Sequence, residues 1–430
     1  MQPKVRPPYF LLFSPLWLVL PLLCSASPRH VYLTWQGDTS TTITVNYQTL
    51  EDAETSTVFY DTQSRRDKTN DYRFHATGTR HKLEGLADGR TVHWVELKQL
   101  KADEAYYFIA GDSKNGFTPE RKFQTIPAGN ERLRFVEGGD MGTSSAMPVL
   151  LKKAAMQEPA FGAVGGDIAY ANDQFTNFSR WDTWLDGWEQ NMVTPKGFTI
   201  PMVLAIGNHE VRGGSGNSPT NAVFYFRYFA QEHERSYYSR KFGKNFVMYL
   251  LDSGHLTPAN GEQAAWLTAQ MEADRGFPHH FAIYHVPLYP SVRAYDASRS
   301  ELGREAWLPI FDKYHLTAAF EHHDHAFKRT RLLRNNQADA DGTLFLGDGC
   351  WGMGARPVLT PRPWYAEKLA SIQHFWVVDV SKDRVEYRAI NKDGKVFDVY
   401  PLDAKGAKDA EKVYQSLTPP PVTSPAGSAK

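Results

Sequence analysis

The chain has 430 residues, enough for two or three domains with a sizeable core. Lys plus Arg and Asp plus Glu each number 48, so the formal net charge is zero. Bulk charge therefore draws in no polyanion, which excludes nucleic-acid binding driven by overall electrostatics and leaves open a locally positive site such as bound metal ions would create.

Residues 1–26 are expected to form a signal peptide. Lys4 and Arg6 precede an apolar run from Tyr9 to about Leu23, and Cys24-Ser25-Ala26 offers a small-residue cleavage site. Leu23 stands where a lipoprotein signal needs a small residue, and no later run is long and apolar enough to span a bilayer. The expected location is thus secreted, periplasmic or extracellular. The processed chain keeps one cysteine, Cys350, which rules out an intramolecular disulfide. Nothing in "GDGCWGMG" activates that thiol, so it reads as a buried glycine-loop residue rather than a nucleophile.

Residues 28–127 carry short alternating runs. Val31, Leu33 and Trp35 share one face, and Ile43, Val45 and Tyr47 repeat the pattern after "GDTSTT". "STVFYD", "TVHWVEL", "EAYYFIAGD" and "RKFQTI" follow at similar spacing without helical segments. This pattern predicts an all-β sandwich of fibronectin III or immunoglobulin type, bounded by "TIPAGNERL".

From 131 to 405 apolar runs alternate with helical segments, "MPVLLKKAAM", "GEQAAWLTAQMEADRG" and "SELGREAWLPIFDKY". That alternation implies an α/β domain built on open sheets. Asn260 is the expected N-cap of the second helix and Gly276 its stop. In "FSRWDTWLDGWEQN", Trp181, Trp184 and Trp188 fall on one helical face; a sugar-stacking platform is conceivable, and a core-facing helix is the plainer expectation. The tail over 412–430, rich in Pro and Ser, is expected to be disordered.

Five apolar runs in the second domain end in potential metal ligands. "RLRFVEGGDMG" delivers Asp140, and "FGAVGGDIAYAN" delivers Asp167 and Tyr170. "TIPMVLAIGNHE" delivers Asn208, His209 and Glu210, "HHFAIYHVPLY" delivers His285, and "TAAFEHHDH" delivers His322, His323 and His325. Strand C-termini are where open α/β sheets build sites. Gly-Asp alone is a common turn, and a lone strand-end histidine is usually structural. Five such ends in chain order point to a metal centre.

The order "GGDMG", "GDIAYA", "GNHE", "AIYH", "HHDH" resembles the five blocks of the metallophosphoesterases, specifically the purple acid phosphatases, with Tyr170 three residues after Asp167 marking that branch. "RWDTW" and "GDGCWGMG" are also similar to family segments, and the sandwich to the family's fibronectin-like domain. The resemblance implies an α/β metallophosphoesterase domain of two packed β-sheets flanked by helices. It implies a dinuclear centre: Asp140, Asp167, Tyr170 and His325 around Fe(III), and Asp167, Asn208, His285 and His323 around a divalent ion (Zn, Fe or Mn), with Asp167 shared. Such a centre activates a water as hydroxide for attack on a phosphate monoester, with His209 hydrogen-bonding the phosphoryl group and Glu210 orienting His209.

Two positions depart from the family pattern. His322 stands where the last block usually begins with glycine; it reads either as a residue supporting the ligands from behind or, slightly favoured, as a surface residue. Ala294 and Tyr295 stand where plant members carry a histidine pair, so the usual leaving-group acid is missing. The expected activity is an exported acid phosphatase acting on a small phosphorylated substrate. A phosphodiesterase or nucleotide pyrophosphatase on the same centre is the alternative, because substrate choice lies in loops such as 211–222 and 286–300. A cell-surface binding module with a degenerate metal domain is a further alternative, opposed by the intact ligand set.

Overall fold

A computed structural model describes residues 28–50, 53–231, 234–347 and 349–417. The expected signal peptide and the tail beyond 417 lie outside them. The first domain is a sandwich. One sheet runs Arg29–Thr34, Ile43–Thr49, Thr91–Leu97, Thr79–Lys82. The other runs Phe74–Thr77, Thr57–Asp61, Ala105–Asp112, Gly116–Phe117, with Arg121–Gln124 also paired to Ala105–Asp112. Alternation decides the inner face: Val31, Leu33, Val45, Tyr47, Val58, Val95 and Phe108 are fully buried between the sheets.

The second domain packs two larger sheets face to face. The first has six strands in the order Met202–Leu204, Phe161–Val164, Leu133–Gly138, His374–Ser381, Arg384–Asn391, Val396–Tyr400. Its first three strands are mutually parallel. The second sheet contains Phe246–Leu250, His279–Ile283, Ala318–Phe320 and Thr343–Gly347 as consecutive parallel neighbours. Phenylalanines fill the space between: Phe161 stacks on Phe242 with centroids 4.1 Å apart, and Phe135 touches Phe161, Phe246, Phe281 and Phe320. The parallel strands of both sheets therefore end at one edge of the domain.

Helices cover the outer faces. Trp181, Trp184 and Trp188 on helix Phe178–Asn191 are buried against the first sheet and helix Val223–Tyr228, so they belong to the core and form no platform. The same helix fixes the two domains together. Arg90 of the sandwich is buried and forks onto Asp88 and Asp182, with Nη2 3.0 Å from Asp182 Oδ2. Helix Glu262–Ala273 begins from Gly261, at φ 65°, rather than from Asn260. The tail also starts later than expected. Residues 412–417 complete helix Ala407–Leu417, because Ala410 is buried and Val413 and Tyr414 pack against the core, the Tyr414 hydroxyl donating to Leu369 O at 3.0 Å.

Candidate metal centre

Each expected ligand lies two to six residues beyond a parallel strand end, where the chain must turn sharply within a crowded edge. The turns are made by the ligands themselves. Asp140, Asp167, Tyr170, His323 and His325 all have positive φ, between 50° and 74°. Non-glycine residues rarely adopt this region, and such strain concentrates at functional sites.

The side chains gather in two adjoining groups. In the first, Tyr170 Oη donates to Asp140 Oδ1 at 2.9 Å, and His325 Nε2 lies 2.9 Å from Tyr170 Oη and 2.8 Å from Asp140 Oδ1. In the second, His285 Nε2 lies 3.1 Å from Asp167 Oδ2, 3.2 Å from Asn208 Oδ1 and 3.0 Å from His323 Nδ1. The Asp167, His285 and His323 donor atoms all fall within 4.8 Å of one another. His285 Nδ1 donates to Gly165 O at 3.0 Å, which leaves Nε2 facing this group.

The donor set fits a cation in each group. Asp167 Oδ2, Asn208 Oδ1 and His323 Nδ1 converge on one imidazole nitrogen that carries at most one proton, so their lone pairs exceed the donors present. Ligands about 2.0–2.2 Å from one ion lie roughly 3.0–3.5 Å from one another, the spacing seen in the second group. Electrostatics agree. Burial would lower the His285 pKa, but the Asp167 and Asp140 carboxylates outweigh it and raise it to about 9, so a cation is held where an ion would sit. Burial, then His285 and Arg293, depress His323 far below the usual imidazole range and keep it neutral, the ligating form. Burial would raise Asp140, yet His325 and His285 pull it well below the carboxylate range. Burial and the Asp140 and Asp167 carboxylates push the Tyr170 phenol far upward, so a cation is needed to ionise it.

His209 and Glu210 take different places. The His209 amide donates to Asp167 Oδ1 at 2.8 Å, and its ring centroid is 4.1 Å from that of Tyr170. Its Nδ1 is bonded to Asn172 Oδ1, which turns Nε2 toward the site. Burial lowers the His209 pKa despite the nearby Asp167 carboxylate. Glu210 does not orient His209 as expected. Its buried carboxylate points the other way and accepts from the Asp167, Ile168 and Gly207 amides at 2.7, 2.7 and 2.9 Å, tying two of the strand-end loops together. Burial and the Asp167 charge raise Glu210 to about 8.

His322 is also not a surface residue. It is buried, its Nδ1 donates to Tyr284 O at 2.8 Å, and Nε2 lies 2.6 Å from Glu137 Oε1. Because Nδ1 donates to a carbonyl, one proton sits between Nε2 and Glu137. The ring fills space beside Gly165, where a Cβ would come within 1.8 Å of it, and that contact explains the glycine. The "GDGCWGMG" loop braces Asp140 through Trp351 N to Gly139 O (2.9 Å) and Met353 N to Asp140 O (3.0 Å). Cys350 is buried within it, its thiol pushed up by burial and by Asp140, so it has no nucleophile's character. Tyr295 turns away from the centre, its hydroxyl on Asn336 Oδ1 at 2.8 Å and its ring beneath Arg304.

Asn172, Glu137, His255, Arg299 and Arg356 escaped the sequence reading. His255 carried the signal used elsewhere, since it follows the parallel strand Phe246–Leu250 in "YLLDSGH". Its ring centroid lies 5.7 Å from that of His285.

Comparison with known proteins agrees with this architecture. Residues 28–125 match the family described as Purple acid Phosphatase, N-terminal domain. An uncharacterized protein of Mycobacterium tuberculosis is 27% identical over 283 residues, covering 56% of this chain and 51% of its own length, so the chain spans about half of that relative. Purple acid phosphatase 22 of Arabidopsis thaliana is 25% identical over 335 residues, covering 75% of this chain and 72% of the relative. The structure of purple acid phosphatase PPD1 from yellow lupin (Lupinus luteus) seeds superposes with a TM-score of 0.75 at 19% identity, over 87% of this chain and 74% of that one. The chain is purple acid phosphatase-like, a metallophosphoesterase-type protein that carries the N-terminal domain of that family.

Proposed function

We propose that this chain is an exported acid phosphatase that hydrolyses phosphate monoesters at a dinuclear centre. Asp140, Asp167, Tyr170 and His325 hold Fe(III), and Asp167, Asn208, His285 and His323 hold Zn, Fe or Mn. One observation carries the reading: two adjoining groups of buried and half-buried oxygen and nitrogen donors, supplied by five strand ends, with more lone pairs than protons between them. Two carboxylates and a phenol suit a hard trivalent ion, and neutral imidazoles with an amide suit a divalent one. When bound, such a pair activates a water and offsets phosphate charge.

The chain's own residues do the rest. Asp167 keeps one oxygen on the His209 amide and the other beside His285, so its carboxylate is fixed within the second group. Asn172 holds His209 Nδ1 and presents Nε2 to a phosphoryl oxygen, the two sharing one hydrogen bond whose proton the phosphoryl hydroxyl supplies. Glu210 holds the Asp167 loop against the Asn208 loop and touches no substrate.

The test is metal analysis of the purified protein together with turnover of 4-nitrophenyl phosphate and bis(4-nitrophenyl) phosphate. Two ions per chain and faster monoester hydrolysis are expected. A protein that loads no metal, or one that prefers the diester, overturns the proposal.

A further inference from the structure

We infer that Arg299 and Arg356 form a second anion site beside the centre, selecting substrates that carry another phosphate near the scissile one. The inference rests on the phosphatase reading above and names the substrate class of that site.

Arg212, Arg293, Arg299 and Arg356 are among the arginines near the ligands. Two have carboxylate partners: Arg212 pairs with Asp173 at 3.1 Å, and Arg293 pairs with the buried Asp324. The other two have none among the described residues. Arg299 places Nη1 2.6 Å from His255 Nδ1, with Nη2 3.5 Å from Gly214 O. The imidazole of His255 in turn packs against ligand His285. Arg356 places Nη1 3.3 Å from His323 O, and its amide donates to His325 O at 2.8 Å. Both arginines are half-buried and their guanidiniums are held by neutral acceptors, and each retains N–H donors with no partner among the described residues. A guanidinium presents a planar fork that matches two phosphate oxygens.

The location follows from the chain. Arg299 opens helix Ser298–Tyr314 at the end of the 286–300 segment, and Gly214, its second acceptor, belongs to the 211–222 segment. One arginine thus bridges two loops at the mouth of the centre, while the other reaches it from the loop that braces Asp140. Ala294 and Tyr295 supply no charge there, so positive charge at this mouth comes from arginine. A phosphate bound by the fork adds affinity for a bisphosphate and none for a simple monoester.

The experiment compares phenyl phosphate with benzene-1,3-diyl bis(phosphate) on the metal-loaded protein. The native chain is expected to favour the bisphosphate in kcat/KM by about tenfold or more, chiefly through KM, with the preference shrinking as salt rises. Arg299→Ala and Arg356→Ala should each lower that ratio by about tenfold, with lysine at either position intermediate. A folding defect lowers both substrates together and leaves the ratio alone, so the ratio reports the site. Calorimetry with methylenebisphosphonate and methylphosphonate reads the same preference without turnover. Phenyl phosphate hydrolysis with no bisphosphate preference, or a ratio unmoved by either substitution, overturns the inference and leaves the phosphatase reading standing. Loaded protein that hydrolyses neither ester overturns the phosphatase reading itself, and the calorimetric preference then judges the anion site alone.

Discussion

Replacing His322 by alanine tests whether the sheet beneath the centre depends on one buried proton. Glu137 and His322 are each about 1% exposed and 2.6 Å apart, the first on a strand of one sheet and the second two residues past the end of a strand of the other. Without the imidazole, Glu137 keeps a buried carboxyl whose partner is gone, and breaking such a pair costs about 3–5 kcal/mol. The ring also fills the space beside Gly139 and Gly165, so its loss leaves a cavity. His322→Ala should therefore lose at least about 3 kcal/mol, while Glu137→Gln/His322→Ala, with no charge left to strand, should recover at least about 1 kcal/mol of it. The assay is urea unfolding of chelator-treated protein, followed by tryptophan fluorescence and circular dichroism, with coincident transitions licensing the free energies. A single variant within 1 kcal/mol of the native chain, or a strictly additive cycle, would refute the shared-proton account.

The remaining predictions concern chemistry and pH. Iron bound to the Tyr170 phenolate should colour the oxidised protein, and Tyr170→Phe should remove the absorption band while circular dichroism stays native; active, iron-loaded but colourless protein would sink the assignment. Asp167→Asn should lose metal and activity together by elemental analysis, whereas His209→Ala should keep metal and lose turnover by about 10²–10³; metal loss in the latter would move His209 among the ligands. With Tyr295 turned away, kcat/KM should fall steeply as leaving-group pKa rises, and a flat plot under rate-limiting chemistry would reveal an unrecognised acid. In the sandwich, burial lowers His93 to about 4, stacked on Tyr47 and bonded to Thr49 and Ser56. The unfolded chain protonates first, so stability present above about pH 6.5 should drain away toward pH 4, by roughly 3 kcal/mol; a His93→Gln variant with undiminished acid sensitivity would count against this.

The candidate ligands were legible because strand ends and ligand chemistry are both local. Each of Asp140, Asp167, Asn208, His285 and His323 follows an apolar run by a few residues, and the parallel pairing then brings those ends to one edge. What the side chains beside them do depends on contacts far apart in sequence. His322 looked exposed because its acceptor, Glu137, lies 185 positions away in the other sheet. Glu210 looked like a partner of His209 because they are adjacent, but a short 3-10 turn over Asn208–Glu210 points the two side chains apart. The helix limits shifted for a similar reason. Gly261 took the start of its helix because only it tolerates φ 65°, and Ala407–Leu417 extended because Tyr414 found a backbone acceptor on Leu369.

The left-handed ligands set a further demand on the fold. Five non-glycine residues in that region cost about 1–2 kcal/mol each, a sum comparable to the whole stability of an ordinary domain. Local sequence offers nothing to offset this, so the restraint must be structural. The loops after Leu133–Gly138 and Phe161–Val164 continue to pair beyond the strands, with Asp140 N on Gly166 O (3.1 Å), Met141 N on Asp167 O (3.1 Å) and Gly142 N on Ile168 O (2.8 Å). Glu210 binds the second of these loops to the loop after Met202–Leu204 through three amides. His323 N on Asp140 Oδ2, at 2.8 Å, joins the opposite sheet to the first. Asp140, Asp167, His323 and His325 are thus each held by bonds of their own or a neighbouring backbone group, and the phenylalanine layer between the sheets keeps their edges from sliding. The lone pairs stay crowded together because relaxing any one of these residues would break the pairing of two loops at once.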